Sequence, residues 1–234
     1  MSETIVLGAL LVLVPVAFNA LFFELARTFD YPDILRREPG EILTRFRAGG
    51  SALLVRWWAF AMVAVAFIPF GAAVPLVLAP GSTWTIVTVA LGVGAGLTQA
   101  IGLVRWPFLV PELARRHADP DATEAQRAAV ELVFASIHRL LGVGIGEHLG
   151  YLLTGLWSLA LSAALAVTAA PVVPAWLAVP GVLVGIALVV GSFEFVGPNE
   201  AGGWPLAERL VPIAYLGWSA WLIVLGVLAI LGAI

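Results

Sequence analysis

The sequence predicts an all-α integral membrane protein, a six-span transmembrane helix bundle with amphipathic helices on its cytoplasmic side. Three observations predict it. Of 234 residues, 61% are hydrophobic and 12% charged, against about 45–50% and 25% in soluble domains, and mean hydropathy is +1.02. Six apolar runs are long enough to cross the hydrocarbon, which takes about 20 residues of helix. The connections between them alternate between arginine-rich and arginine-free. Backbone groups in lipid must be satisfied within the segment, so runs this long and continuous are helices rather than barrel strands.

The first run, about 5–26, has Glu3 and no positive charge ahead of it, and its apolar stretch exceeds a signal-peptide core; it reads as a retained span. The others are about 52–78, 84–104, 141–168, 173–196 and 210–231, all within one transmembrane domain, 1–234. Arg27, Arg36, Arg37, Arg45 and Arg47 fall after the first span, and Arg105, Arg115, Arg116, Arg127 and Arg139 after the third. The turns at 80–82 and 171–174 carry no basic residue, and 197–209 carries Arg209 alone. By the positive-inside rule the odd connections are cytoplasmic and both termini lie outside, as in a multi-pass protein of a bacterial inner membrane.

Two connections have helical character. In 122–141, Val130, Val133, Phe134, Ile137, Leu140 and Leu141 recur at helical spacing, with Glu124, Arg127, Glu131, His138 and Arg139 largely opposite. Asp119, Asp121 and Thr123 offer N-caps. This amphipathic helix either lies in the interface and turns inward at 142–146 or runs straight into the fourth span. In the first loop, Pro32 suits a helix start, Pro39-Gly40 a stop, and 41–46 a second short interfacial helix. Trp57, Trp58, Trp106 and Trp204 fall at inner boundaries and Trp84 and Trp176 at outer ones, as an aromatic belt requires; Trp157, Trp218 and Trp221 read as packing residues. Val55-Arg56-Trp57 and Val104-Arg105-Trp106 read as two snorkelling anchors.

Chemistry is constrained by what is missing. There is no Cys and all 12 basic residues are Arg. That removes disulfides, thiolate ligands, iron–sulfur clusters, Cys nucleophiles and lysine Schiff bases. No basic run suits nucleic acid, and no G-x-S-x-G or H-E-x-x-H pattern occurs. Charges inside spans are costly and point to function unless a local partner explains them. Glu24 has Arg27 at i+3 and Glu131 has Arg127 at i−4. Glu147 and Glu194 have no base at i±3 or i±4. Glu147, Tyr151, Thr154, Ser158 and Ser162 form one polar stripe, beside Gly142, Gly144, Gly146 and Gly150. The candidate ligand-binding residues are therefore Glu147, His148, Glu194, Arg139, Tyr151 and His138. A metal would fall to His138, Glu147 and His148, with help from another helix, and a haem to His138 and His148; otherwise no cofactor is expected.

The candidate polar groups — Asn19 and Gln99 besides those above — cluster in the cytoplasmic half of the spans, which favours a cavity or docking surface open to that side over a through-path. The stretch 137–151, IHRLLGVGIGEHLGY, resembles the central part of the DUF4386 family of bacterial multi-span proteins. The stretches 104–114, VRWPFLVPELA, and 212–222, PIAYLGWSAWL, are similar to it too. The resemblance covers about 85–232 and implies a polytopic bacterial inner-membrane protein with no known reaction. The expectation is a non-enzymatic membrane protein binding a small or lipidic ligand, or a partner protein, from the cytoplasmic side; the alternatives are a secondary transporter and a metal- or haem-dependent redox protein.

Overall fold

The computed structural model describes residues 3–168, 172–199 and 202–232. All regular structure among them is helical, and six helices are long and apolar enough to cross a membrane. In order they are α1 (Glu3–Phe29), α2 (Pro39–Leu78), α3 (Thr83–Phe108) with the short α4 (Val110–His117), α5 (Glu124–Ile137) continuing into α6 (Gly150–Val167), α7 (Ala178–Ser192) and α8 (Pro205–Gly232). Sequence neighbours pack together, α3 packs on α6, and α1 closes against α8, so the spans form a ring.

Two junctions depart from the sequence expectation. Pro39 opens a helix instead of ending one: with no N–H to lose it suits the first turn. The resulting helix, 39–49, runs to Gly50, whose φ of 57° and ψ of −152° break α2 ahead of its long apolar part. Only glycine takes that conformation without strain. Ahead of it the first loop folds as a 3₁₀ turn, Asp33–Arg36, after a cis Tyr31–Pro32 bond.

The second junction decides between the two readings of 122–168. Thr123, among the three candidate caps, starts α5 through a reciprocal capping box with Gln126. The chain then does not turn at 142–146. It stays helical over Glu124–Val167, 44 residues, by widening into a π-helix at His138–Leu149. Widened turns of this kind shift the register of the helix beyond them and concentrate at functional sites. The glycines of this segment serve close approach: a Cβ on Gly102 of α3 would come within 2.5 Å of the Gly146 Cα. The pairs Gly71–Gly92 and Gly155–Gly185 bring α2 to α3 and α6 to α7 in the same way.

The core has two parts stacked along the bundle. At the end holding the termini, Leu7, Leu11, Val74, Leu78, Trp157, Leu161 and Leu225 pack into one cluster. At the arginine-rich end, Leu25, Phe29, Ile34, Phe46, Trp57, Trp106 and Phe134 form another. Trp157, Trp218 and Trp221 are buried packing residues, and Trp58, Trp84 and Trp176 are exposed, as belt residues would be. Trp57 and Trp106 are not belt residues: both are 0% exposed, stacked with centroids 4.4 Å apart. The repeated Val-Arg-Trp thus builds a contact between α2 and α3, which the anchor reading missed.

Candidate functional site

Between the two core clusters lies a cavity of about 210 Å³. Its wall is largely aromatic, with Phe18, Phe22, Phe60, Tyr31, Tyr151 and Tyr215 contributed by α1, the first loop, α2, α6 and α8. Its ionisable residues besides the tyrosines are Arg105 of α3 and Glu147 of the π-helical segment, with the amides Asn19 and Gln99 nearby. The exposed lining residues Phe23, Pro32, Pro212 and Leu216 mark the mouth, between α1 and α8 toward the arginine-rich end.

The structure sorts the candidate residues. Glu147 and Tyr151 line the cavity. Below them the polar stripe is buried but satisfied within its own helix: Thr154, Ser158 and Ser162 each donate to the carbonyl four residues back, at 2.7, 2.9 and 2.8 Å. His148 points away, its Nδ1 donating to the Ser192 carbonyl at 2.9 Å and tying the segment to the end of α7. Arg139 is exposed. Glu194 is not without a base: buried in the turn after α7, it forms an ion pair with Arg36 of the first loop. Four neighbours in sequence could not have revealed a partner 158 residues away.

His138 is buried behind the cavity wall, stacked on Phe134 at 5.5 Å. Its Nδ1 accepts from the Arg105 guanidinium at 3.2 Å, and the Leu35 backbone lies near the ring. Arg105 itself is 6% exposed, also donates to the Gly102 carbonyl, and has its Cζ 5.2 Å from the centroid of the Trp106 ring. It is therefore a buried charge and not a snorkelling anchor. The test that singled out Glu147 would have found it, since Ile101, Gly102, Phe108 and Leu109 at i±4 and i±3 include no acid. Of the other charges, Glu24 does pair with Arg27 at 2.8 Å and also meets Arg56 at 3.6 Å. Glu131 takes His117 at 2.7 Å, while Arg127 bonds the Asp119 carbonyl instead.

Glu147 is half-buried and desolvated, and of the charges around it Arg105 acts on it most strongly, then Arg36, with Glu194 opposing. No ion pair within 4.0 Å forms between Glu147 and either arginine among the described residues. Tyr31, in the loop outside the spans, has its hydroxyl pushed up by burial and then by the Glu147 charge, so it stays a neutral donor and acceptor. No group of three His, Asp or Glu side chains gathers as a metal site would require among the described residues; His138 and His148, the two candidate ligands, serve different contacts.

Among known families, DUF4386, a domain of unknown function, matches residues 6–226. The chain belongs to this family. The match reaches further than the resemblance of 85–232, taking in α1 and the first loop, which supply Phe18, Asn19, Tyr31 and Pro32 to the cavity of this DUF4386 protein. It has no significant match among curated proteins or solved structures.

Proposed function

We propose that this DUF4386 protein binds a small or lipidic ligand in the cavity between α1, α3, the π-helical segment and α8. The observation that carries the reading is the cavity itself: about 210 Å³, walled by aromatic rings, with a buried arginine and a carboxylate that make no direct ion pair. Concave, mostly apolar sites with a few convergent polar groups are what small-molecule binding uses. The cluster around Leu11, Trp157 and Leu161 closes the bundle beyond it, which favours a binding pocket over a conduit.

In this reading the arginine-rich end faces the cytoplasm of a bacterial inner membrane and both termini lie on the far side. Exposed Arg36, Arg37, Arg115, Arg116 and Arg139 at that end support the orientation. Ligand enters near that face, at the mouth between α1 and α8.

Binding to the folded state raises stability by mass action. A panel of small amphipaths is therefore expected to include compounds that raise the unfolding temperature of the detergent-purified protein. The shift should vanish in Leu103→Trp, which fills the cavity from α3. A panel with no stabiliser, or an equal shift in a folded Leu103→Trp, would refute the reading.

A further inference from the structure

The acceptors left open in the cavity identify the ligand's chemistry, granted that the cavity is a binding site. Asn19 spends its amide hydrogens on the Pro15 carbonyl at 2.7 Å and Ser219 Oγ at 2.9 Å, leaving Oδ1. Gln99 donates one amide hydrogen to Thr154 Oγ1 at 2.9 Å, leaving Oε1 and the second hydrogen. No hydrogen bond reaches the Glu147 carboxylate among the described residues, and its oxygens are not among the enclosed, unpartnered atoms. They are open to the cavity that Glu147 lines. Arg105 offers the reverse picture. It is engaged by Gly102 and His138 and lies against the Trp106 face, its Nε is enclosed, and one hydrogen on each terminal nitrogen stays uncommitted. The pocket therefore presents open acceptors, one of them a carboxylate with no hydrogen-bond partner among the described residues, beside tyrosine hydroxyls that donate or accept, within a wall of Phe and Tyr rings.

Aromatic faces and a desolvated carboxylate both favour positive charge, and neutral acceptors favour N–H donors. We propose that the cavity binds a compact amphipathic amine: a protonated nitrogen hydrogen-bonded to Glu147, with Gln99 and Asn19 as further acceptors, and an apolar body against Phe18, Phe60 and Tyr215. Size sets the body. A dry cavity of about 150 Å³ holds a benzene ring, so about 210 Å³ takes a ring with a short side chain and not a two-chain lipid.

The test uses three probes of one shape: 2-phenylethylammonium, 2-phenylethanol and phenylacetate, titrated against the full-length protein in detergent with tryptophan fluorescence as the readout. The ammonium is expected to bind about tenfold or more tighter than the alcohol, and phenylacetate weakest. Glu147→Gln should abolish the ammonium's advantage and leave the alcohol's affinity within about twofold; its unfolding temperature reports whether it is folded. Equal binding of ammonium and alcohol would overturn the amine assignment and leave the cavity as a site for neutral ligands. Tighter binding of phenylacetate would assign the site to Arg105 and overturn it too. An ammonium preference that survives in folded Glu147→Gln would move recognition off the carboxylate. Binding of none of the three to the wild type would overturn this assignment; the broader cavity reading then stands or falls by the stabilisation panel. Should Glu147→Gln not fold, the order of the three probes on the wild type alone decides.

Discussion

Arg105 is the residue on which the candidate site rests. Its guanidinium ties the Gly102 carbonyl of α3 to the His138 ring of the π-helical segment and sets the field at Glu147. Removing it leaves buried acceptors unmet, at about 1–3 kcal/mol for such a group. Arg105→Leu is expected to lower the unfolding free energy by that amount or more. Adding Glu147→Gln should restore part of the loss, because the carboxylate would no longer lack its nearby positive charge. A double-mutant cycle reads the coupling, and strict additivity would show that the two charges do not communicate. Glu147 was legible in the sequence because no residue on its own helix could neutralise it. Arg105 carried the same signal, masked by its position at a span end beside a tryptophan. The partner of Glu194 was beyond reach, since Arg36 meets it only once the first loop has folded over the end of α7.

Among the elements, the π-helical segment is the piece that sequence periodicity could not resolve. A pattern of 3.6 residues describes α5 and α6 separately, and the widened turns between them change the register by an amount no spacing rule contains. Its closest backbone approach to α3 is made by two glycines, and this predicts a contrast. Gly146→Ala would place a Cβ 3.0 Å from the Gly102 Cα, against backbone that must move, and should cost about 1–3 kcal/mol. Gly144→Ala in the same segment meets nothing closer than the Arg139 carbonyl at 3.6 Å, so it should be neutral or stabilise by up to about 1 kcal/mol. Unfolding midpoints that rank the two in the opposite order would show that the α3 contact does not constrain the segment. The Trp57–Trp106 stack joins α2 to α3 nearby, and Trp106→Ala should cost about 3–5 kcal/mol as a large-to-small change in a closed core.

For the whole molecule, the arrangement of charge makes orientation measurable. The chain has no Cys, so single cysteines report without background. Ala122→Cys, between α4 and α5, is expected to react with an impermeant maleimide only after cells are permeabilised. Pro80→Cys, between α2 and α3, should react in intact cells. The reverse pattern would invert the proposed orientation, and equal labelling of both would contradict an odd number of spans between them. At this scale the composition was nearly sufficient. Long apolar runs and alternating arginine connections marked all six candidate spans, and the structure moves their limits mainly outward, to Glu3–Phe29 at the start and Pro205–Gly232 at the end.

The sequence by itself determined that this is a helical chain with six segments able to cross a membrane, because hydropathy and backbone satisfaction act segment by segment. It also exposed Glu147 and Tyr151, because an acid without a partner and a polar stripe are properties of one helix. The tertiary structure alone decided which groups share a cavity. Asn19 comes from α1, Tyr31 from the first loop, Gln99 and Arg105 from α3, Glu147 from the π-helical segment and Tyr215 from α8. Their meeting depends on α1 closing against α8, on the loop held by Arg36 and Glu194, and on the π-helical turns that aim Glu147 inward. Those are contacts between distant parts of the chain, and their energies come from packing and pairing that local spacing does not encode.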